Sequence, residues 1–195
     1  MSINSHIDHL CKGLYFQIKK LSTVRKFLNV DVTKKLVCSY ILSKLDYCNS
    51  LFIGASIERI NKLQRLQNNA AEMTMMRKKS DSSHEILKEL HWLPIRERII
   101  YKVGMLCYKC LYDGAPLYLK KSITLYNPVR PLRSSSENLL IKPKKNLKRY
   151  GERSFDYFGP AVWNDLPKEI RHSDSLSIFK KHLKYFLFTK TYETV

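Results

Sequence analysis

Apolar residues in the first part of the chain recur every three or four positions, the spacing of one helix face. The first stretch, from Ile7 to about Leu28, would bury Ile7, Leu10, Cys11, Leu14, Ile18 and Leu21. The second follows possible caps at Asp31 and Thr33 and would bury Leu36, Val37, Tyr40, Ile41 and Leu45. The third starts at Ser56 and would bury Ile60, Leu63, Leu66, Ala70 and Met73. We therefore predict three amphipathic helices that form a small bundle over residues 1–80.

Helical patterns continue beyond the charged link at residues 77–81. Ser82 and Glu85 have the spacing of a capping box for a short helix that ends near Leu90. Pro94 suits the first turn of the next helix, which would bury Ile95, Ile99, Val103, Leu106 and Cys110. Pro116 would begin one further turn. These patterns predict a helical middle region over residues 81–121.

Residues 122–153 break the helical pattern, because prolines and a run of serines interrupt any long helix. Residues 139–141 could form a short strand that pairs with residues 148–150 in a hairpin. Apolar spacing returns in residues 154–195, where a short helix would bury Phe155, Phe158, Val162 and Trp163 and stop before Pro167. The last helix, capped within residues 173–175, would bury Leu176, Phe179, Leu183, Phe186 and Leu187. The predicted fold class is mainly α.

Charge narrows the choice of partners. The 195 residues include 35 Lys and Arg against 17 Asp and Glu, which gives a formal net charge of +18, and 44% of the residues are hydrophobic. The apolar content can supply a core, and the excess charge favours polyanions, either nucleic acid or an anionic membrane surface. No apolar run is long enough to span a bilayer, so we expect no membrane span.

The start of the chain and its cysteines indicate the cellular compartment. The polar start, Met1–His6, lacks a signal-peptide core. Five scattered cysteines do not resemble a disulfide framework, so reduced thiols are expected. We predict an intracellular protein of the nucleus or cytoplasm that is not secreted.

Two clusters of basic residues are candidate phosphate contacts. The first crowds an irregular segment in which Tyr150 could stack on an unpaired base; its members are Lys142, Lys144, Lys145, Lys148, Arg149, Tyr150 and Arg153. The second, on the predicted third helix, comprises Arg59, Lys62 and Arg65. For both, the alternative is a charged surface that only faces solvent.

The sequence contains no recognisable catalytic motif. Polymerisation needs paired palm carboxylates that hold metal ions, and no Tyr-x-Asp-Asp string occurs. Cys107 and Cys110 have no second pair of ligands at zinc spacing, so two buried thiols one helical turn apart are expected. The isolated glycines form no phosphate loop. We predict no catalytic residue, no metal and no cofactor.

Several short strings follow one another along most of the chain, namely Leu45–Leu51, Leu63–Asn68, Leu87–Pro94, Arg130–Ser135, Tyr150–Arg153, Trp163–Pro167 and Phe179–Lys184. Together they resemble the C-terminal part of the polyprotein of LINE-type, non-LTR retrotransposons of the jockey kind. The resemblance implies that residues 1–80 follow a reverse-transcriptase palm, where a thumb grips primer and template, and that the rest forms the tail behind the thumb.

The resemblance implies a non-catalytic fragment of an RNA-directed DNA polymerase. It would bind RNA, DNA or their hybrid without sequence specificity, and a palm encoded upstream could be its partner. One alternative is a helical interaction module that places the stripe of Phe179, Leu183 and Phe186 against a partner helix. A second is a relic without retained activity, because Met73–Met76 and Tyr112–Gly114 depart from the family pattern.

Overall fold

The computed structural model describes residues 3–78, 80–112, 114–127, 137–143 and 154–193. It is mainly α-helical, as the apolar spacing predicts. The chain divides into two compact units, Met1–Ile99 and Ile100–Val195. The finer division into four regions stays a prediction, as does the thumb-like character of the first of them.

The first unit contains the helical stretches predicted for residues 1–80 and the short helix predicted to end near Leu90. They are α1 (Ile3–Val24), α2 (Val30–Val37), α3 (Ser43–Asp46), α4 (Ile57–Met75) and α5 (Ser83–Glu89), followed by the start of α6 (Ile95–Leu111). A 3₁₀ turn, Arg25–Phe27, follows α1, and a second, Asn49–Phe52, precedes α4. α1 and α2 both pack against α4.

The predicted buried face of α1 is confirmed at its centre, where Ile7, Cys11, Leu14 and Ile18 are buried. The second helix differs from its prediction. Tyr40 is 52% exposed and Leu42 is buried in its place, because a π-helical turn, Cys38–Leu42, connects α2 to α3. Such a turn contains more residues than an α-helical turn and therefore rotates the buried face.

The cap of α2 also differs from the prediction. Asn29 precedes the helix, and its side-chain oxygen accepts a hydrogen bond from the Val32 N–H at 2.8 Å. Asp31 and Thr33 lie inside the helix, so they were wrong as cap residues. Thr33 is buried, and its hydroxyl donates to the Asn29 carbonyl at 2.8 Å. The predicted cap of α5 is confirmed, since the Ser82 hydroxyl accepts from the Glu85 N–H.

Arg25 joins the end of α1 to the end of α4. Its side chain is buried, and its Nε and Nη2 donate to the carbonyl of Thr74 at 3.2 and 2.7 Å. Nε also donates to Met73 at 3.1 Å, while Nη1 donates to Leu28 at 2.6 Å. The last carbonyls of an α-helix lack partners within the helix and carry partial negative charge. The guanidinium supplies both the missing donors and the opposite charge.

Two glutamines of α4 hold the segment between α5 and α6. Gln67 is fully buried, and its amide donates to the Leu93 carbonyl at 2.9 Å. One turn earlier, the Gln64 side-chain oxygen accepts from the Ile95 N–H at 2.9 Å. Each bond satisfies a backbone group that the turn before α6 leaves without a helical partner. Two of the strings that carry the family resemblance, Leu63–Asn68 and Leu87–Pro94, are thus linked by a hydrogen bond.

In its described residues, the second unit contains most of α6 and four further helices. They are α7 (Leu117–Lys120), α8 (Phe155–Asn164), α9 (Lys168–Arg171) and α10 (Leu176–Tyr192). Aromatic side chains form its centre: the Phe179 ring lies 4.5 Å from Tyr108 and 5.8 Å from Trp163, between ring centroids. The predicted apolar stripe of the last helix is therefore largely buried, and the cap at Ser175 is confirmed by its bond from the Ile178 N–H.

Two glycines allow close contacts in this unit. A Cβ atom on Gly104 of α6 would lie 3.0 Å from the Leu183 side chain of α10. A Cβ atom on Gly159 of α8 would lie 3.2 Å from the Cys107 sulfur of α6. Both distances are shorter than ordinary contacts between carbon atoms and their neighbours. The absent side chains therefore let α8 and α10 approach α6 closely.

Residues 139–141 lie between two polar partners. The Leu139 carbonyl accepts from the Tyr126 N–H and the Ile141 N–H donates to the Thr124 carbonyl, both at 2.8 Å. On the opposite side, the Asn164 amide accepts from the Leu140 N–H and donates to the Leu140 carbonyl, each at 2.9 Å. The predicted hairpin is not confirmed, and residues 148–150 lie outside the described ranges.

A second buried arginine serves carbonyls at the end of a helix in this unit. Arg171 Nη1 donates to the carbonyls of Asn164 and Leu166 at 3.1 and 2.6 Å, and its Nε donates to the Glu137 carbonyl at 3.0 Å. The arrangement resembles that of Arg25 in the first unit. Among the residues with described positions, each unit therefore buries one guanidinium that bonds backbone carbonyls.

We expect Arg25→Ala to lower the free energy of unfolding by about 3 kcal/mol, because hydrogen bonds from a charged donor are lost and buried carbonyls remain unpaired. Arg25→Lys should recover only part of this loss, since an ammonium cannot reproduce the planar fork of donors. Urea titration followed by circular dichroism measures both changes.

The matched control is the neighbouring exposed residue, through Lys26→Ala, which should change the free energy of unfolding by less than about 0.5 kcal/mol. Equal effects of Arg25→Ala and Lys26→Ala would show that the carbonyl contacts of Arg25 contribute nothing to stability.

Candidate nucleic-acid interface

The first predicted cluster lies mostly beyond the described ranges. Lys142 is described: it is exposed, and its Nζ lies 4.5 Å from the centroid of the Tyr157 ring. The other members of the cluster fall outside the described residues, namely Lys144, Lys145, Lys148, Arg149, Tyr150 and Arg153. The proximity of Lys142 to an aromatic ring is a cation–π contact, and the exposed position leaves its charge open to an anion.

The second predicted cluster, on α4, is divided by an acidic residue of α1. Arg59 and Lys62 both form ion pairs with Asp8, and the Lys62 Nζ lies 2.5 Å from the carboxylate oxygen. Arg65 is exposed, and its Nε donates to the Asn61 carbonyl of its own helix at 3.4 Å. The structure therefore brings Arg59 and Lys62 of α4 together at Asp8 of α1, and leaves Arg65 at the surface.

The ion pair changes the acidity of Asp8. The hydrogen bond from Lys62 is the largest influence, and together with the positive charges of Lys62 and Arg59 it holds the pKa of Asp8 below the usual value of 3.8, against an opposing effect of partial burial. Asp8 is consequently ionised over the neutral range. Its negative charge faces the two cations of α4.

The outer face of α1 carries a basic and aromatic surface that the sequence reading passed over. Lys12, Phe16, Lys19 and Lys20 are all exposed there, opposite the buried stripe of the helix. The Lys20 Nζ lies 4.6 Å from the centroid of the Phe16 ring. The signal was present in the sequence, since no Asp or Glu occurs between His9 and Val30.

Several other cations are committed to structure. Arg25 and Arg171 are buried on backbone carbonyls, and Arg98 of α6 contacts Asp46 of α3 through two bonds, at 2.8 and 2.5 Å. Such arginines are poor candidates for phosphate contacts, because each would have to break these bonds first. On α10, by contrast, Lys181 and Lys184 are exposed.

The cysteines and carboxylates offer little catalytic chemistry. Cys107 and Cys110 are buried thiols one turn apart on α6, and burial raises the pKa of both. A raised pKa depletes the nucleophilic thiolate form. Among the residues with described positions, no three His, Cys, Asp or Glu side chains are grouped so that they could hold a metal ion. In the same part of the chain, no helix has the length and apolar character needed to cross a membrane.

Alkylation tests the environment of the thiols. Iodoacetamide should modify the native protein at Cys38 and Cys48, which are exposed, and spare Cys11, Cys107 and Cys110, which are buried. In denaturant all five should react. Mass spectrometry of the digested protein locates the adducts, and rapid native labelling of Cys107 would contradict the buried arrangement.

Acid titration tests the ion pair of Asp8. Because the folded-state pKa is lowered, the pair stabilises the protein above the unfolded-state pKa, and this contribution is lost as the pH falls through the folded-state pKa. Asp8→Asn should therefore destabilise the protein at neutral pH, and the difference from the native chain should shrink below the usual Asp value of 3.8. Urea titrations at a series of pH values measure the difference, and a pH-independent difference would contradict the pairing.

Four of the family-like strings contact one another in pairs within the described residues. The Gln67 amide bonds the Leu93 carbonyl and joins two of these strings, and the stacked rings of Trp163 and Phe179 join two others. Comparisons with protein-family models, with curated protein sequences and with solved structures find no match for this chain. The function proposed below therefore rests on the residues of the chain itself and on the resemblance of its sequence.

Proposed function

We propose that this chain is a non-catalytic C-terminal fragment of a retrotransposon reverse transcriptase and binds RNA, DNA or their hybrid without sequence specificity. The observation that carries the proposal is its charge. A formal net charge of +18 on 195 residues provides many more cations than its acidic residues can neutralise. Phosphates attract such a surface strongly, because binding releases the counterions condensed on the nucleic acid.

The distribution of charge supports this proposal. Among the described residues, only two arginines are buried, Arg25 and Arg171. Exposed lysines lie on α1 and α10, and Lys142 extends the predicted basic segment into the described part of the chain. Positive side chains at the surface contact a phosphate backbone irrespective of base sequence, which is why we propose binding without sequence specificity.

The lack of a polymerase carboxylate motif in the sequence supports the proposal that this chain is a non-catalytic fragment. No Tyr-x-Asp-Asp occurs in the sequence, and paired carboxylates are what a polymerase uses to hold its metal ions. We infer that any polymerase activity requires a palm supplied upstream, as the resemblance implies. The residues of this chain would then hold the nucleic acid while the palm performs the reaction.

The alternative interaction module has less support, because two of its three proposed contact residues are buried. Phe179 and Leu183 are fully buried in the second unit, beside Trp163 and Gly104. A partner helix could reach this stripe only if the unit opened, at the cost of its own core. Nothing in the described residues favours that alternative over nucleic acid. A relic without activity would fail the binding test that follows.

Salt dependence tests the proposal. We expect affinity for a short DNA duplex to fall by roughly 10³-fold between about 50 mM and about 200 mM salt if at least six phosphates are contacted. Changing Lys144, Lys145 and Arg149 together to Ala should weaken binding and lower the slope of log affinity against log salt by about 2 to 3. Fluorescence anisotropy with a labelled oligonucleotide measures both quantities.

A variant with the same loss of charge is the control. Lys34, Lys35 and Lys44 lie on α2 and α3, and their joint replacement by Ala should reduce the salt slope much less. No affinity for any oligonucleotide in dilute buffer would contradict the proposed function. An equal effect of the two triple variants would show that charge is used without a preferred surface.

A further inference from the structure

We propose that the outer face of α1 and the turn after it bind unpaired nucleic-acid strands, with bases stacked on Phe16 and Phe27. The phosphates of such a strand would contact the lysines of this surface, which we call the α1 surface: Lys12, Lys19, Lys20 and Lys26. The inference rests on the proposed function and deepens it, since it assigns a site and a preferred form of nucleic acid.

Helix geometry places four members of the α1 surface together, and the other two follow in the turn after the helix. Lys12, Phe16 and Lys20 follow at intervals of four residues, and such residues form one row along a helix. Lys19 stands three residues after Phe16 and belongs to the same side of the helix. The buried residues of α1 occupy the opposite side, so packing of α1 against α4 leaves this row at the surface.

Each aromatic ring of the α1 surface has a lysine next to it. The Lys20 Nζ is 4.6 Å from the Phe16 centroid, and the Lys26 Nζ is 4.9 Å from the Phe27 centroid. The rings nevertheless remain 57% and 77% exposed. A base that stacks on either ring brings its own phosphate close to an ammonium group, which is the combination used by proteins that bind single strands.

The local charge is also favourable. Acidic residues are absent from His9 to Val30, and Asp8, the acidic residue just before this stretch, is paired with Arg59 and Lys62 of α4. A phosphate near α1 therefore meets several cations and no unpaired carboxylate of the same helix. Arg59 and Lys62 act on this surface indirectly, because they offset the charge of Asp8.

The exposed rings distinguish a single strand from a duplex. Bases in a duplex already stack on one another and present only their edges in the grooves. Lysines can contact the phosphates of either form, but the faces of Phe16 and Phe27 become useful only when a base is free to stack. The α1 surface should therefore prefer unpaired strands.

The test compares oligothymidylate with the same strand paired to oligoadenylate, each bound to the full chain and measured by fluorescence anisotropy. In the double variant Phe16→Ala, Phe27→Ala, affinity for the single strand should fall about tenfold for each lost ring. Affinity for the duplex should change by less than about twofold, and the salt slope for both should stay unchanged because no charge is removed.

Three further variants accompany the double variant. Tyr47→Ala removes a ring of the same unit that is 76% exposed but lies outside the α1 surface. This variant should leave the affinities for the single strand and for the duplex unchanged. Changing Phe16 and Phe27 to Leu keeps apolar side chains but removes the flat faces, so this variant should show the same loss of single-strand affinity. It replaces the alanine variant if that one fails to fold. Changing Lys12, Lys19 and Lys20 to Ala should lower the single-strand salt slope by about 2.

The outcomes separate this inference from the proposed function. If both Phe variants bind the single strand as tightly as the native chain, or lose affinity equally for the duplex, the α1 surface is not a stacking site, although nucleic-acid binding stands. If the native chain binds neither oligonucleotide in dilute buffer, both proposals are overturned. A selective loss for the single strand, without an effect of Tyr47→Ala, supports the assignment.

Discussion

The contact of Arg25 with the carbonyls that end α4 is the interaction on which the first unit depends. A helix that packs its apolar stripe against a neighbour still has to satisfy the polar groups at its ends. Here one guanidinium serves Met73 and Thr74 of α4 and Leu28 beyond α1. The same side chain therefore links the turn after α1 to the end of α4, and Arg171 makes corresponding contacts in the second unit.

This use of arginine divides the positive charge of the protein into two populations. The guanidiniums of Arg25 and Arg171 satisfy carbonyls inside the units, whereas Arg65 and the strongly hydrated lysines of α1 remain at the surface. A net charge read from the sequence cannot separate these populations, because the distinction arises from contacts between residues far apart in the chain. Arg25 and Thr74 are separated by 49 positions.

Local spacing predicted much of the fold, because the buried stripes of α1 and α10 and the caps Ser82 and Ser175 depend on residues close in sequence. The bonds of Gln67 could not be predicted, since its partner lies on a distant loop. Tyr40 was misplaced because a π-helical turn changes the period. In the candidate site, the exposed Phe16 was not predicted, because the apolar spacing of α1 identifies only its buried face. The stretch without acidic residues around it is nevertheless visible in the sequence.

The amide of Asn164 has a consequence for association between copies of the chain. It contacts both backbone groups of Leu140 and so occupies an edge at which apolar residues 139–141 could otherwise add a strand from another molecule. Exposed edges of this kind act as templates for aggregation. The Asn164 side chain thereby occupies the two backbone groups through which Leu140 could pair with a strand of another molecule.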